Sequence, residues 1–142
     1  MSKHYAHARW EGNLTEGKGK YTLKSSGYEG KLTFSSRFED NKEASSPEEL
    51  IGAAHASCLS MAFAHALSQA GYKPEKIETD AEITLAKAGD SFAITEILLK
   101  TTGRVSGIDE KKFGEIAGDA KENCPVSRAL KAVNVKLEAK LI

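Results

Sequence analysis

The sequence predicts an α+β fold in which a mostly antiparallel sheet surrounds one long central helix. Three observations support this prediction. Short strand-like segments precede the only long helical segment, two longer alternating segments joined by a tight turn follow it, and a further alternating segment closes the chain. The 142 residues show no repeat, low-complexity tract or linker, so we expect a single domain spanning residues 1–142.

The first third of the chain is predicted to form short strands separated by glycine turns. The strand candidates are residues 6–10, 21–23 and 32–35, and the turn candidates are residues 17–19 and 27–30. The polar segment 37–46 is predicted to be a loop.

A long helix is predicted to begin after Ser46 and to end near residue 70, before Gly71. Ser46 suits the N-cap, Pro47 suits the first helical position, and Glu49 would complete a capping box. The middle of the helix is rich in alanine, glycine and serine, and such small side chains let another backbone approach closely. We therefore expect this helix to be buried on most sides.

The remaining elements follow from hydrophobic periodicity. Residues 77–85 alternate apolar and polar residues as a half-buried strand does, and residues 88–90 make a hairpin turn to a second strand. The later elements are a helix at 109–122 with Phe113, Ile116 and Ala117 on one face, a short helix at 124–130, and a strand at 133–142.

Composition narrows the range of partners. Lys plus Arg equals Asp plus Glu at 20 each, without a basic cluster, which argues against nucleic acid because its binding depends on excess positive charge. The apolar stretch 50–67 is interrupted by polar residues and the N-terminus lacks an apolar signal segment, so we expect no membrane span and a cytoplasmic location. In that reducing compartment a standing disulfide is not expected, whereas a transient catalytic one is plausible.

Cys58 and Cys124 are the residues most suited to redox chemistry, although free cysteines are also common as small buried apolar residues. Cys124 opens a predicted helix, where the helix dipole and unpaired N–H groups should lower the thiol pKa. Cys58 lies inside its helix and would need a nearby cation for the same effect. Local sequence alone therefore favours Cys124 as the more reactive thiol.

A metal site is not expected. His55 and Cys58 share a helical face, but His65 lies about 10 Å further along the axis, and no paired C-x-x-C motif supplies further ligands. The alternative for both histidines is partial burial with a hydrogen bond. The chain also lacks a G-x-S-x-G elbow, a P-loop and a dinucleotide fingerprint. By default, Arg37 would be an ordinary surface residue and Glu48 a favourable charge in the first helical turn.

Several segments together resemble the OsmC/Ohr superfamily of hydroperoxide peroxidases, and they favour its OsmC branch. The two most specific blocks run from Pro47 through His55 to Cys58 and from Cys124 to Ser127. The other matching segments are residues 8–12, 17–19, 33–38 and 92–95.

The resemblance implies a role for four residues and no cofactor or metal. Cys58 matches the peroxidatic cysteine, Cys124 the resolving cysteine, Arg37 the arginine that stabilises the thiolate and orients the peroxide, and Glu48 the carboxylate that holds this arginine. The implied reaction is the reduction of organic hydroperoxides to alcohols, followed by disulfide reduction by an external dithiol such as a lipoyl protein. The implied assembly is an intertwined homodimer with paired central helices.

Geometry adds a hypothesis about that dimer. Glu48 precedes Cys58 by ten residues, about 15 Å on one straight helix, so one arginine would struggle to contact both within a chain. We therefore expect each site to combine Cys58 and Cys124 of one subunit with Arg37 and Glu48 of the other.

An apolar pocket is expected beside the site, and it would favour organic hydroperoxides over hydrogen peroxide. Its candidate lining residues, each of which could equally be plain core, are Leu59, Met61, Ala62, Phe63 and Phe38. The main alternative function is a non-catalytic stress protein or binder of small hydrophobic ligands on the same fold.

Overall fold

The computed structural model describes residues 1–39 and 41–142, which form two compact units. Residues 1–50 carry one three-stranded sheet, and residues 51–142 carry another together with most of the helical structure. The expectation of a single domain stays a prediction.

The first sheet consists of β1 (Ala6–Glu11), β2 (Lys18–Leu23) and β3 (Tyr28–Thr33), all antiparallel. The predicted turns at 17–19 and 27–30 were placed too broadly, because Gly19 and Gly30 lie inside strands. A side chain at Gly19 would collide with the ring of Trp10, and one at Gly30 with the ring of Tyr21. These strand glycines therefore make room for cross-strand aromatic rings.

The helix α1 (Phe34–Phe38) was missed by the sequence analysis, which predicted a strand and then a loop here. The hydroxyl of Thr33 accepts from the backbone N–H of Ser36 at 3.1 Å, and the hydroxyl of Ser36 accepts from the N–H of Thr33 at 3.2 Å. This reciprocal cap ends β3 and starts the helix. It brings Arg37 into a helical turn.

The long helix α2 (Pro47–Gln69) has nearly the predicted bounds, and the N–H of Glu49 donates to Ser46 Oγ at 3.1 Å as an N-cap requires. Within residues 51–142, one stripe of this helix is fully buried. It consists of His55, Leu59, Phe63 and Leu67. Another face, which includes Ala54, Ser57 and Met61, is exposed in the single chain, so the expectation of burial on most sides is not met without a partner.

The second sheet consists of β4 (Pro74–Ala88), β5 (Ser91–Val105) and β6 (Asn134–Leu141), in that order. β4 and β5 form the predicted hairpin, with Gly89 at a φ of +66° in its turn. β6 joins β5 in parallel. The sheets are therefore mostly antiparallel, as predicted, with one parallel pair.

Two helices precede β6, namely α3 (Glu110–Asn123) and α4 (Pro125–Ala129), close to their predicted bounds. Phe113, Ile116 and Ala117 are buried on α3 as expected. The ring of Phe113 lies 4.8 Å from that of Phe63, centre to centre, in an edge-on arrangement. This contact packs α3 against the buried stripe of α2, inside the core that also contains Ile97 and Leu99 of β5.

By length and composition alone, α2 is long and apolar enough to cross a membrane, which the sequence analysis did not anticipate. The expectation of no span rested on the polar interruptions of residues 50–67, whereas the hydropathy of α2 comes from many alanines among a few larger side chains. In the single chain 28% of this stretch is buried.

Candidate active site

Cys58 and Cys124 meet in the second unit. Their Sγ atoms lie 2.7 Å apart in a thiol–thiol contact, and both cysteines are free. Cys124 is fully buried, whereas Cys58 is partly exposed. The structure therefore brings together the two residues that the sequence singled out, with Cys58 the more accessible of the two.

Each cysteine is positioned by regular backbone structure. Cys58 lies on α2 directly before the buried Leu59. Cys124 is both the last capping residue of α3 and the N-cap of α4, and its N–H donates to the carbonyl of Ala120 at 2.9 Å. Pro125 occupies the first turn of α4, so the chain changes direction at Cys124 and its side chain points to α2.

The two thiols have opposite pKa shifts. Burial raises the pKa of Cys58, and the hydrogen bond with Cys124 raises it further, against a weaker opposing contribution from the backbone N–H of Val126. Burial would also raise the pKa of Cys124, but hydrogen bonds from Cys58, Ser127 and Val126 outweigh it and lower that pKa. Within one chain Cys124 is thus the more acidic thiol, in agreement with the argument from its position at a helix start.

A buried histidine lies beside this pair. His55 Nε2 and Ser127 Oγ are 2.7 Å apart, His55 is fully buried and Ser127 is 8% exposed. Partial burial with a hydrogen bond was the alternative expected for His55, and the hydrogen bond is present although the ring is fully buried. No function was expected for Ser127. Their spacing of 72 positions carries no periodic signal, so the contact could not be predicted from the sequence alone.

The other two predicted site residues pair with each other in the first unit. Nη2 of Arg37 donates to Glu48 Oε1 at 2.8 Å, and Nε of Arg37 donates to the two carboxylate oxygens at 3.1 and 3.2 Å. Glu48 is 7% exposed, and the guanidinium carbon of Arg37 lies 5.2 Å from the centre of the Phe38 ring. Glu48 therefore orients the guanidinium, as the resemblance implies.

Glu48 is brought into reach of α1 by the segment before α2. Backbone N–H of Ser45 donates to the carbonyl of Lys31 at 3.0 Å, and the hydroxyl of Ser36 donates to the carbonyl of Ser45 at 2.8 Å. These bonds tie the start of α2 to the end of β3 and to α1. Arg37, whose side chain is 38% exposed, is thereby held in an ion pair with the buried Glu48.

Only some of the residues predicted to line the apolar substrate pocket can do so in the single chain. Leu59 and Phe63 belong to the fully buried core stripe, because they face β5 and α3, and so they cannot line an open pocket. Met61 is 75% exposed on a different face of α2. A cleft of about 640 Å³ lies between that face and β4, lined in part by Ser57, Met61 and Thr79.

Comparison with known proteins identifies the family. The model of the OsmC-like protein family matches residues 39–138. The chain belongs to the OsmC-like family. It is 46% identical to a protein named Peroxiredoxin OsmC from Escherichia coli (strain K12), a match that covers 88% of this chain and 87% of that protein. A Peroxiredoxin OsmC from Shigella flexneri matches with the same identity and coverage.

Solved structures share the OsmC-like fold. An OsmC-like protein of unknown function from Vibrio cholerae O1 superposes with a TM-score of 0.77 at 20% identity, covering 98% of this chain and 99% of that one. The organic hydroperoxide resistance protein OhrB of Bacillus subtilis superposes with a TM-score of 0.70 at 21% identity, covering 97% and 98%. These likenesses confirm the predicted fold class, and the intertwined homodimer stays a prediction.

Proposed function

We propose that this OsmC-like chain is a cysteine-based peroxidase that reduces organic hydroperoxides to alcohols as part of a stress response. The observation that carries the proposal is the 2.7 Å contact between Cys58 and Cys124, which are 66 positions apart. The names of the two Peroxiredoxin OsmC relatives support the same chemical class. No cofactor enters the proposed cycle, because sulfur atoms carry both redox steps.

In the first step, the Cys58 thiolate attacks the terminal oxygen of the hydroperoxide, the one that carries the hydrogen. An S–O bond forms, the O–O bond breaks, and the departing alkoxide takes a proton to become the alcohol, which leaves Cys58 as a sulfenic acid. The Cys124 thiolate then attacks the Cys58 sulfur, and the S–O bond breaks to release hydroxide, which is protonated to water. An external dithiol, such as a lipoyl group, reduces the disulfide by thiol–disulfide exchange.

Arg37 and Glu48 are proposed to complete the site. A cation near Cys58 would favour its thiolate and offset the rise in pKa that burial causes in the single chain. Glu48 engages Nε and Nη2 of Arg37. Nη1, which has no hydrogen-bond partner among residues 1–39 and 41–142, would donate to a peroxide oxygen. Because Glu48 and Cys58 are about 15 Å apart along a straight helix, we assign this role to Arg37 and Glu48 of the partner subunit.

The proposed assembly is a homodimer in which two α2 helices pack together. The exposed face of α2 carries small residues together with Met61 and His65, and small side chains permit close helix packing. Pairing two copies of this face would remove apolar surface from water and would also cover the stretch that resembles a membrane span.

A cytoplasmic location is part of the proposal, because the cycle needs reduced thiols and a supply of dithiol reductant. The proposed substrates are organic hydroperoxides with an apolar substituent. The alternative, a non-catalytic binder of small hydrophobic ligands on the same fold, requires no turnover.

Steady-state turnover tests the proposed function. Purified protein is given cumene hydroperoxide and a dithiol, such as dihydrolipoamide, and peroxide loss is followed over many equivalents. We expect repeated turnover by the unmodified chain and none by a Cys58→Ser variant. Loss of no more than one equivalent of peroxide by the unmodified protein, or equal rates for the two, would favour the non-catalytic alternative.

Complementation tests the shared site. On its own Cys58→Ser is inactive in this proposal and Arg37→Ala is strongly impaired, but a mixed dimer would contain one intact site made from both chains. We expect mixing under subunit exchange to restore activity, with Cys58→Ser mixed with Cys58→Ala as the matched control. Mixed dimers without activity would place Arg37 and Cys58 of the same chain in one site.

A further inference from the structure

His55 and Ser127 form a buried contact to which the proposed peroxidase cycle assigns no role. The imidazole is fully buried between α2 and α4, Nε2 lies 2.7 Å from Ser127 Oγ, and Nδ1 has no hydrogen-bond partner among residues 1–39 and 41–142. A buried polar group is rarely left unpaired without a reason.

The unpaired Nδ1 indicates where the ring proton lies. A buried N–H without an acceptor is rarer and costs more than a buried lone pair without a donor. The proton therefore belongs on Nε2, and His55 donates to Ser127 Oγ. Burial lowers the pKa of His55, and the nearby charge of Lys121 lowers it further, so the ring stays neutral and has this one N–H to donate.

With its oxygen accepting from His55, Ser127 keeps its own hydroxyl proton for another acceptor. Cys124 lies three residues earlier, at the start of the same short helix. The hydroxyl and the backbone N–H of Ser127 both act on the Cys124 thiol in the direction that lowers its pKa. A Ser127 hydroxyl that accepts from His55 is therefore free to donate its proton to the sulfur atom of Cys124.

We propose that His55 and Ser127 are positioning residues that hold Cys124 as a thiolate through hydrogen bonds from His55 Nε2 to Ser127 Oγ and from Ser127 Oγ to Cys124 Sγ. The catalytic role of these two hydrogen bonds rests on the proposed function. The hydrogen bonds themselves can be tested without peroxide turnover.

The two hydrogen bonds would act in two steps of the cycle. During resolution, Cys124 attacks as a thiolate, the S–S bond forms, and the S–O bond of the Cys58 sulfenic acid breaks to release hydroxide. During reduction, a dithiol thiolate attacks the more accessible Cys58 sulfur, a new S–S bond forms there, and Cys124 departs with the electron pair of the old one. A thiol with a lower pKa leaves faster, so the same hydrogen bonds direct the reductant to Cys58.

Among the described residues, few titratable groups face His55, Ser127 and Cys124. Cys58 faces Cys124 from α2, and Lys121 of α3 acts on His55. The ammonium of Lys121 also donates to the carbonyl of Val135 at 3.2 Å and lies 3.3 Å from the carboxylate of Glu122. Because the Cys58 thiol lies against Cys124, the pKa of Cys124 is best measured in a variant in which Cys58 is replaced.

The first test measures the pKa of Cys124 in a Cys58→Ser background, from the pH dependence of thiolate absorbance. Removing one hydrogen bond to a charged acceptor by Ser127→Ala should raise that pKa by about one unit. Ser127→Thr, which keeps the hydroxyl, is the matched control and should leave it nearly unchanged. A folded Ser127→Ala protein with an unchanged Cys124 pKa, or a Ser127→Thr protein with the same rise, would overturn the proposal.

The second test needs no substitution at Ser127. Nitrogen NMR of the reduced protein at neutral pH should show His55 protonated at Nε2 alone. His55→Leu should raise the pKa of Cys124 in the same background, and His55→Gln, which restores an N–H donor, should reverse part of that rise. A proton on Nδ1 would overturn the two proposed hydrogen bonds while leaving the proposed peroxidase function intact.

Discussion

The Sγ atoms of Cys58 and Cys124 lie 2.7 Å apart, one on a half-buried stretch of α2 and the other fully buried where α3 meets α4. Both cysteines are held by helical backbone that belongs to the core of the same unit. A disulfide between them therefore requires only a short movement of side chains that are already in contact.

Replacing each cysteine separately should give different oxidation products. Cys58→Ser should consume no organic hydroperoxide. Cys124→Ser should consume one equivalent and then stop, because the Cys58 sulfenic acid has no thiol to condense with. Trapping with dimedone followed by mass spectrometry measures the product. Dimedone addition at Cys124 in the Cys58→Ser variant would reverse the assigned order.

Removing the guanidinium of Arg37 should change both the rate of peroxide reduction and the dependence of that rate on pH. An opposite charge lowers the pKa of a thiol, so in Arg37→Ala the pKa of Cys58 should rise above its ordinary value of 9.0, the direction that burial causes in the single chain. The rate should fall about 100-fold at neutral pH, the usual cost of losing one electrostatic stabiliser. The midpoint of the rate–pH profile should move to higher pH.

The matched control for Arg37 is Lys20→Ala, because Lys20 is paired with Glu29 at 3.2 Å on the exposed sheet of the same unit. We expect this variant to keep the rate and the midpoint of the unmodified protein. An equal loss in both variants would mean that a general charge effect, and not a site contact, governs Cys58.

Two substitutions on different faces of α2 should separate folding from assembly. Phe63→Ala truncates a fully buried ring that contacts Phe113, so the free energy of unfolding should fall by about 3–5 kcal/mol. Met61→Asp alters a side chain that is 75% exposed in the single chain, and it should convert a dimer to monomers. Sedimentation and urea unfolding measure the two effects.

Lys111→Asp, on the exposed side of α3, provides the control for assembly and should leave the dimer intact. A Met61→Asp protein that remains dimeric would argue against pairing of the α2 helices.

Substrate preference is a separate expectation. If an apolar surface borders Cys58 in the assembled protein, cumene hydroperoxide should react faster than hydrogen peroxide at equal concentration, because its aromatic group gains apolar contact. The second-order rates of oxidation of reduced protein give the comparison. A faster reaction with hydrogen peroxide would contradict the apolar pocket.

Local signals explain which parts of the fold the sequence could predict. Ser46, Pro47 and Glu49 marked the start of α2, and alternation marked β4, because both depend on residues close together in the chain. The parallel pairing of β6 with β5 was not predicted, since alternation is the same for either strand direction. The helix α1 was missed because its cap uses Ser36 where Glu or Gln is usual.

The site was predictable only in part for the same reason. Helix position indicated the right direction for the pKa of Cys124, but the largest cause that lowers this pKa is the hydrogen bond with Cys58, 66 positions away. The roles of Arg37 and Glu48 came from family resemblance, since a pairing eleven positions apart between two helices has no periodic signature. His55 and Ser127 come together only through the packing of α4 on α2.

The central claim is that Cys58 and Cys124 act as one redox pair, and stoichiometric oxidation tests it most directly. Reduced protein is treated with one equivalent of cumene hydroperoxide, free thiols are blocked, and the peptides are mapped by mass spectrometry without reduction. We expect one equivalent of alcohol and a Cys58–Cys124 disulfide that a dithiol reduces. Unchanged free thiols with intact peroxide, or a disulfide that no dithiol returns to activity, would contradict it.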